Sequence, residues 1–366
     1  DSTQIWNDYK KVFHEMIPLT LDSLLPKEKN IYWSSSPSIG WGRKESLTQG
    51  DSHYWGVWWG KEPFEIYEKK VGRFMSEYGF QGMPNLETLQ KVMNKEDLNF
   101  ISEAFKNHQK HPTGYETINE YMERDYVVPK DFEDYLYVSQ LLQARGMKTA
   151  IEAHRRAKSY CMGTLYWQFN DCWPVTSWSS LDYYGNWKAF HYQAKRSFEN
   201  LLLSVNEENE IYKVFLVNDN FESYSIRLEL ELLSFDGKSL WENSKEVTVK
   251  ENTSINVYEI PKDEFEKFDL KSSVLKVNWE EVKINYFFAK PKDLKLQKPN
   301  IEIKIINDFM IEISSDVLAK DVFLSSENEV FFEDNYFDLL PNDKRIIKLS
   351  KAAIEIKVKS LFDTLK

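Results

Sequence analysis

Past Leu203 the chain changes its hydrophobic period, and that change divides it into parts that cannot share one architecture. Ile226, Leu228, Leu230 and Leu232 alternate with Arg227, Glu229 and Glu231. Successive side chains of a strand point to opposite faces, so this stretch has one apolar and one wet face. Val247 to Val249, Val274 to Val277, Ile301 to Ile305 and Ile346 to Leu349 repeat the pattern, with Asn, Asp, Gly and Pro between them. Such a series predicts antiparallel sheets packed face to face. Pro291 and Pro299 flank a lysine-rich stretch that reads as a linker. It divides this half into two immunoglobulin-like β-sandwiches, over 204–290 and 291–366, each of a size that one sandwich fills.

Before Leu203 the pattern is helical, broken by short aromatic strands. Trp6, Tyr9, Val12, Phe13, Met16, Leu21, Leu24 and Leu25 recur at helical spacing, with an interruption predicted at Pro18 and a stop at Pro26. Short strands are expected at Ile31 to Ser34, Ser52 to Trp58, Val71 to Glu77 and Gly163 to Phe169. Tyr135, Val138, Leu141, Leu142, Arg145, Ala150, Ile151 and His154 trace one long helix between the last two. Short strands alternating with helices indicate a parallel β/α layer over 1–203.

A formal charge of −11 argues against nucleic acid or an anionic membrane surface as partner, because both need clustered Lys and Arg. A neutral ligand is easier to accommodate. Tryptophan is concentrated in the N-terminal half. Indole faces suit the apolar faces of sugar rings, and they also fill large cores. No run of about 18 apolar residues is present to span a membrane. Cys161 and Cys172 are the only cysteines and read as buried free thiols in aromatic surroundings. The chain shows no signal peptide, and Asp1-Ser2-Thr3-Gln4 reads as a start within a longer protein. The compartment stays open, with a periplasmic or secreted location expected if the source is bacterial.

One carboxylate stands out by position. Arg73-Phe74-Met75-Ser76-Glu77-Tyr78-Gly79-Phe80-Gln81 closes the third short strand. A carboxylate at the C-terminal end of a parallel strand points to the mouth where β/α barrels keep their chemistry. A buried ion pair of Glu77 with Arg73 is the competing reading.

The same segment, with Pro84, resembles the nucleophile segment of the glycoside hydrolase family 2 β-mannosidases. Gly50-Asp51-Ser52-His53-Tyr54-Trp55 is similar to that family's sixth-strand segment, and Tyr32, Ser35, Ser36 and Pro37 to the one before it. Tyr166-Trp167-Gln168-Phe169-Asn170-Asp171-Cys172-Trp173-Pro174 resembles the eighth, and Asp182-Tyr183-Tyr184-Gly185 with Lys188 continues the match. Asp334-Asn335-Tyr336-Phe337-Asp338-Leu339-Leu340-Pro341 is similar to the final sandwich domain.

The resemblance implies strands five to eight of an eight-stranded (β/α)8 TIM barrel over 1–203, followed by the two sandwiches. It implies part of a retaining exo-β-mannosidase that removes terminal β-mannose, with Glu77 as nucleophile and no cofactor or metal. Trp167 would form the floor under the sugar, with Asp51, His53, Trp55 and Trp173 shaping the subsite. Exo-β-glucosaminidase, a β-galactosidase-like or other family 2 activity, or a non-catalytic carbohydrate-binding fragment, are the alternatives. Retaining hydrolysis needs two carboxyl groups about 5 to 5.5 Å apart. The family's general acid/base is the Glu of an Asn-Glu pair well upstream of the nucleophile, but Asn119-Glu120 and Asn206-Glu207 both follow Glu77. The chain alone is therefore expected to be inactive, and a half barrel is expected to pair with a second copy or with its missing half.

Several smaller signals have bland readings beside them. His53 between aromatics also fits a hydrogen-bonded core histidine, and Asp51 a loop cap. His108 and His111 precede Pro112 and lack further ligands, so a solvated loop is expected there rather than zinc. Glu207-Glu208 and Glu280-Glu281 read as solvated surface.

Overall fold

The computed structural model describes residues 1–26, 31–280 and 282–365. It opens with helices α1 (Ser2–Tyr9) and α2 (Ile17–Leu24), joined without a break by a π-helical stretch, Lys10–Met16. The interruption predicted at Pro18 does not occur. Ile17 N–H reaches back five residues to Val12 O, and Pro18 falls in the first turn of α2, where a missing amide is tolerated.

Strands β1 (Ser52–His53) and β2 (Met75–Glu77) pair in parallel, with His53 opposite Glu77. Thr164 adds a parallel bridge on the other side of Met75. Backbone bonds continue the ladder past the named strands: Tyr54 N–H donates to Glu77 O at 2.8 Å, and Trp167 N–H to Tyr78 O at 2.8 Å. The strands expected at 52–58 and 71–77 are therefore present but shorter, the one expected at 163–169 is reduced to the single bridge at Thr164, and residues 31–34 form no ladder.

Helices α3 (Leu86–Gln90), α4 (Glu103–Asn107), α5 (Gly114–Asp125), α6 (Phe132–Arg156) and α7 (Ala189–Ser197) pack around this layer. Helix α6 starts where Asp131 accepts from the amides of Glu133 and Asp134, and ends in His154, Arg155 and Arg156. Both ends thus complement the helix dipole. Its Gln143 Nε2 donates to Phe80 O, Trp178 O and Ser179 O, tying the helix to the strand ends.

The first sandwich packs the sheet β3 (Leu201–Glu208), β4 (Ile211–Asn218) and β7 (Thr253–Pro261) on a sheet ordered β6 (Ser239–Val249), β5 (Tyr224–Ser234), β8 (Ser273–Trp279), β9 (Val282–Phe287). Both sheets are antiparallel. In β5 the residues Ile226, Leu228, Leu230 and Leu232 are buried, while Arg227 and Glu229 are exposed. Each such side chain contributes about 1.5–3 kcal/mol on burial.

The second sandwich consists of β10 (Ile301–Asn307), β11 (Met310–Ser315) and β14 (Lys344–Lys348) against β13 (Phe337–Leu339), β12 (Ala319–Ser326) and β15 (Ile356–Lys359). The stretch joining the sandwiches is packed rather than loose. Pro291 and Leu294 are buried, and Lys290 pairs with Asp125 at 2.7 Å.

This last sandwich also closes the core of the helical layer. Tyr336 and Leu361 belong to that core, Tyr137 OH of α6 donates to Asp321 O at 2.5 Å, and Lys359 pairs with Asp134 at 2.6 Å. Arg196 of α7 donates to Asp334 Oδ1, Asn335 O and Tyr336 O.

Cys161 is buried as expected, but Cys172 is exposed, because it sits in the irregular loop after Trp167. Glu207 and Glu208 are exposed and pair with Lys262 and Lys213; Glu280 is exposed, and Glu281 lies outside the described residues. Among the described residues no helix is long and apolar enough to cross a membrane.

Candidate active site

Glu77 ends β2 with its carboxylate held from two sides. Trp55 Nε1–H donates to Oε1 at 2.9 Å, and His53 Nδ1 lies 3.5 Å from Oε2. The parallel register explains the meeting, since His53 faces Glu77 across β1 and β2 and the loop that follows returns Trp55 to the same side. The side chains of His53 and Glu77 keep 17% and 22% of their surface, so the carboxylate can still meet a ligand. Arg73 does not pair with it: its guanidinium stacks over Tyr160 at 4.9 Å.

The residues flanking Glu77 have separate physical duties. Ser76 Oγ donates to Asp51 Oδ2 at 2.6 Å, fastening β2 to the loop before β1. Tyr78 is fully buried, with its hydroxyl at 2.7 Å from Thr164 Oγ1. Gly79 is required by proximity, since a Cβ there would lie 2.1 Å from Trp167 O. The run Ser76-Glu77-Tyr78-Gly79 is thus an anchor, a part-open carboxylate, a core filler and a contact point.

Asp51 holds a loop as well as a place near the site. It accepts from Ser36 Oγ, Ser76 Oγ, Ser38 N–H and Trp33 Nε1–H. Burial pulls its carboxyl upward, but the bonds from Ser36, Ser76, Ser38 and Trp33 together hold it below the usual carboxylate range. Ser36 Oγ is also 3.0 Å from His53 Nε2. Asp51, Ser36, His53, Glu77 and Trp55 therefore form one connected group.

Trp167 is 44% exposed, beside Tyr78 through its backbone bond, and its peptide to Gln168 is cis. Trp173 stands outside the connected group, tilted over His108 at 5.4 Å. The loop carrying His108 and His111 is not the solvated loop expected. His108 Nδ1 is 2.5 Å from Pro174 O, and His111 packs edge-on against Trp58, Trp59 and Trp178, so both rings are held by neighbours rather than by solvent alone. Among the described residues no group of three or more His, Cys, Asp or Glu could hold a metal ion.

Neither Asn-Glu pair supplies a second carboxylate here. Glu120 pairs with Lys61 and Arg124 on the surface of α5, and Glu207 with Lys262 on the first sandwich. Sequence reasoning missed the roles of Ser36 and Ser76, which carry no periodic signal. It also missed Trp178, whose ring packs edge-on against Trp55 at 6.2 Å.

Residues 210–293 match the family described as a mannosidase Ig/CBM-like domain, and residues 296–364 the Ig-fold domain of mannosidases. A Capra hircus β-mannosidase is 30% identical over 87% of this chain and 40% of its own length. An Aspergillus niger β-mannosidase B is 27% identical over 96% of this chain and 45% of its own. The solved β-D-mannosidase of Dictyoglomus thermophilum is 31% identical with a TM-score of 0.85, covering 96% of this chain and 44% of that one. An exo-chitosanase from Amycolatopsis orientalis, at 15% identity and a TM-score of 0.66 over 86% of this chain and 46% of its own, shares the fold. The chain thus spans less than half the length of the relatives it matches. From the two immunoglobulin-like matches, the β-mannosidase relatives and the shared fold, the chain belongs to the β-mannosidase-like proteins of glycoside hydrolase family 2.

Proposed function

We propose that this chain is the nucleophile-bearing part of a retaining exo-β-mannosidase, acting on terminal non-reducing β-mannose. The observation that carries this reading is Glu77 at the C-terminal end of a parallel strand, oriented by Trp55 and still open to a ligand. Residues 1–203 are read as half of a β/α barrel, 204–290 and 291–366 as the sandwiches that buttress it.

In this reading a Glu77 oxygen attacks the anomeric carbon, the glycosidic bond breaks toward the leaving group, and a glycosyl ester forms. Water then cleaves the ester with retention. The Trp55 bond fixes the rotation of the carboxylate, so attack needs little reorganisation. Trp167 offers an exposed indole face for the sugar ring, with His53 and Trp55 walling the subsite, Asp51 stationed behind them, and Trp173 further out on the rim. Asp51, the other carboxylate of the connected group, already accepts four hydrogen bonds and so has no proton to give a leaving group. The isolated chain is accordingly read as inactive toward unactivated glycosides, and a second copy or further chain would cover its open layer.

The same saturation of Asp51 favours a neutral sugar over an amino sugar, since an ammonium group needs a free carboxylate. A 2-deoxy-2-fluoro-mannosyl fluoride tests the assignment, because its leaving group departs with least help from an acid. The expected result is an adduct on the peptide containing Glu77. An adduct on another peptide would remove Glu77 from the role.

A further inference from the structure

Two carboxylates stand at the ends of a short relay, and only one arrangement of protons satisfies it. Asp51 Oδ2 receives Ser36 Oγ–H and Ser76 Oγ–H, each at 2.6 Å. Its Oδ1 receives Trp33 Nε1–H and Ser38 N–H, each at 3.1 Å. An ionised carboxylate only accepts, so the single hydroxyl proton of Ser36 is committed to Asp51. The contact of Ser36 Oγ with His53 Nε2, at 3.0 Å, must then run from a ring N–H to the oxygen. The other ring nitrogen, Nδ1, faces Glu77 Oε2 at 3.5 Å. A neutral imidazole has one proton. With Nε2 occupied, a neutral His53 turns a lone pair toward Glu77, and only an imidazolium turns an N–H toward it.

We propose that Asp51, acting through Ser36, locks the ring proton of His53 on Nε2, making His53 a positioning residue that supports the Glu77 carboxylate only as the imidazolium. The catalytic consequence rests on Glu77 being the nucleophile; the proton arrangement does not. Asp51 and Glu77 are the charged groups of the relay, and Trp55, on the far oxygen of Glu77, is uncharged. Support for the nucleophile is thereby tied to a second carboxylate that never touches it.

The geometry also dictates how the lock reverses. In Asp51→Asn the amide oxygen stays where Trp33 and Ser38 donate, which puts the NH2 group against Ser36 and Ser76. Ser36 then accepts from the amide and donates its own proton to His53 Nε2. That nitrogen must be bare, and the ring proton moves to Nδ1, facing Glu77. Replacing an acceptor-only Asp by Asn is known to select the wrong histidine tautomer in the serine protease triad.

Long-range nitrogen–proton spectra of the 15N-histidine-labelled chain read this directly, with His53 identified by loss of its signals in His53→Gln. At a pH where the ring is neutral, the expected result is a protonated Nε2 and a bare Nδ1, with the two nitrogen shifts exchanged in Asp51→Asn. A bare Nε2 in the unaltered chain, or no exchange in the variant, overturns the lock. Should Asp51→Asn fail to fold, Ser36→Ala removes the acceptor of Nε2–H, and the shifts should move toward the Nδ1–H form; unchanged shifts overturn the proposal equally. Fluoro-sugar labelling is scored separately. Exchange of tautomers without labelling keeps the relay and discards the nucleophile, and labelling without exchange does the opposite.

Discussion

Trp55 Nε1 sits 2.9 Å from Glu77 Oε1, an indole donor on the carboxylate that ends β2. A hydrogen bond to a charged group contributes about 1.5–3 kcal/mol. Trp55→Phe keeps most of the apolar contact and removes the donor. Labelling of Glu77 by an activated fluoro-sugar should then slow by about 10- to 100-fold, at the rate of tenfold per 1.36 kcal/mol. Unfolding in urea should show stability lowered by no more than that same amount, about 1.5–3 kcal/mol. An unaltered labelling rate would mean that the indole does not orient the carboxylate.

Gly79→Ala should be costly although alanine is small. The new methyl carbon would lie 2.1 Å from Trp167 O, a backbone atom that cannot rotate away. The two strand ends must separate, at a cost of about 2–4 kcal/mol, which puts the change in the upper tail of single substitutions. Denaturant midpoints measure it, and tryptophan fluorescence should report displacement of Trp167. Stability within 0.5 kcal/mol of the parent, on the order of surface changes, would show that the contact is relieved cheaply.

Leu228→Ala in β5 should cost about 2–5 kcal/mol, the usual range for a fully buried leucine. Arg227→Ala, on the exposed face of the same strand, should change stability by about 0.5 kcal/mol or less. Equal costs at the two positions would contradict the alternation that defines the strand.

His154 gives the chain an acid sensitivity of its own. Burial, with a smaller contribution from Arg156, pulls its ring from 6.5 down to about 3. The unfolded chain therefore binds a proton that the folded chain refuses between those values. Stability is fully present above about pH 6.5 and falls as the pH drops toward 3, by up to about 1.4 kcal/mol per unit. In His154→Gln that component is gone, so the slope of unfolding free energy against pH between 4 and 6 should flatten. Parallel slopes for the two proteins would place the proton elsewhere.

Much of the fold could be read from local pattern, because long elements carry their own period. Helix α6 spans 25 residues with capping Asp131 in place, and β5 alternates over its inner residues without a break. The strands of the first layer are harder, since β1 and β2 are two and three residues long and are fixed by pairing partners far along the chain. Pro18 misled for a related reason: a five-residue hydrogen bond just before it lets the helix run on. At the site, Glu77 and Trp55 could be picked out as residue types in a telling place. Ser36 and Ser76 could not, because a hydroxyl declares its partner only when a carboxylate such as Asp51 arrives from another segment.

Tyr336 and Leu361 come from the last sandwich, yet they lie in the same core as α6. The final domain is in this sense a wall of the first layer, and segments far apart in the chain share one interior. Shortening the protein at its linker would leave Tyr137 and Tyr192 facing water, so this tail is no detachable handle for engineering. Heating should melt the wall and the layer it closes in a single calorimetric transition, with no separate early peak for the tail.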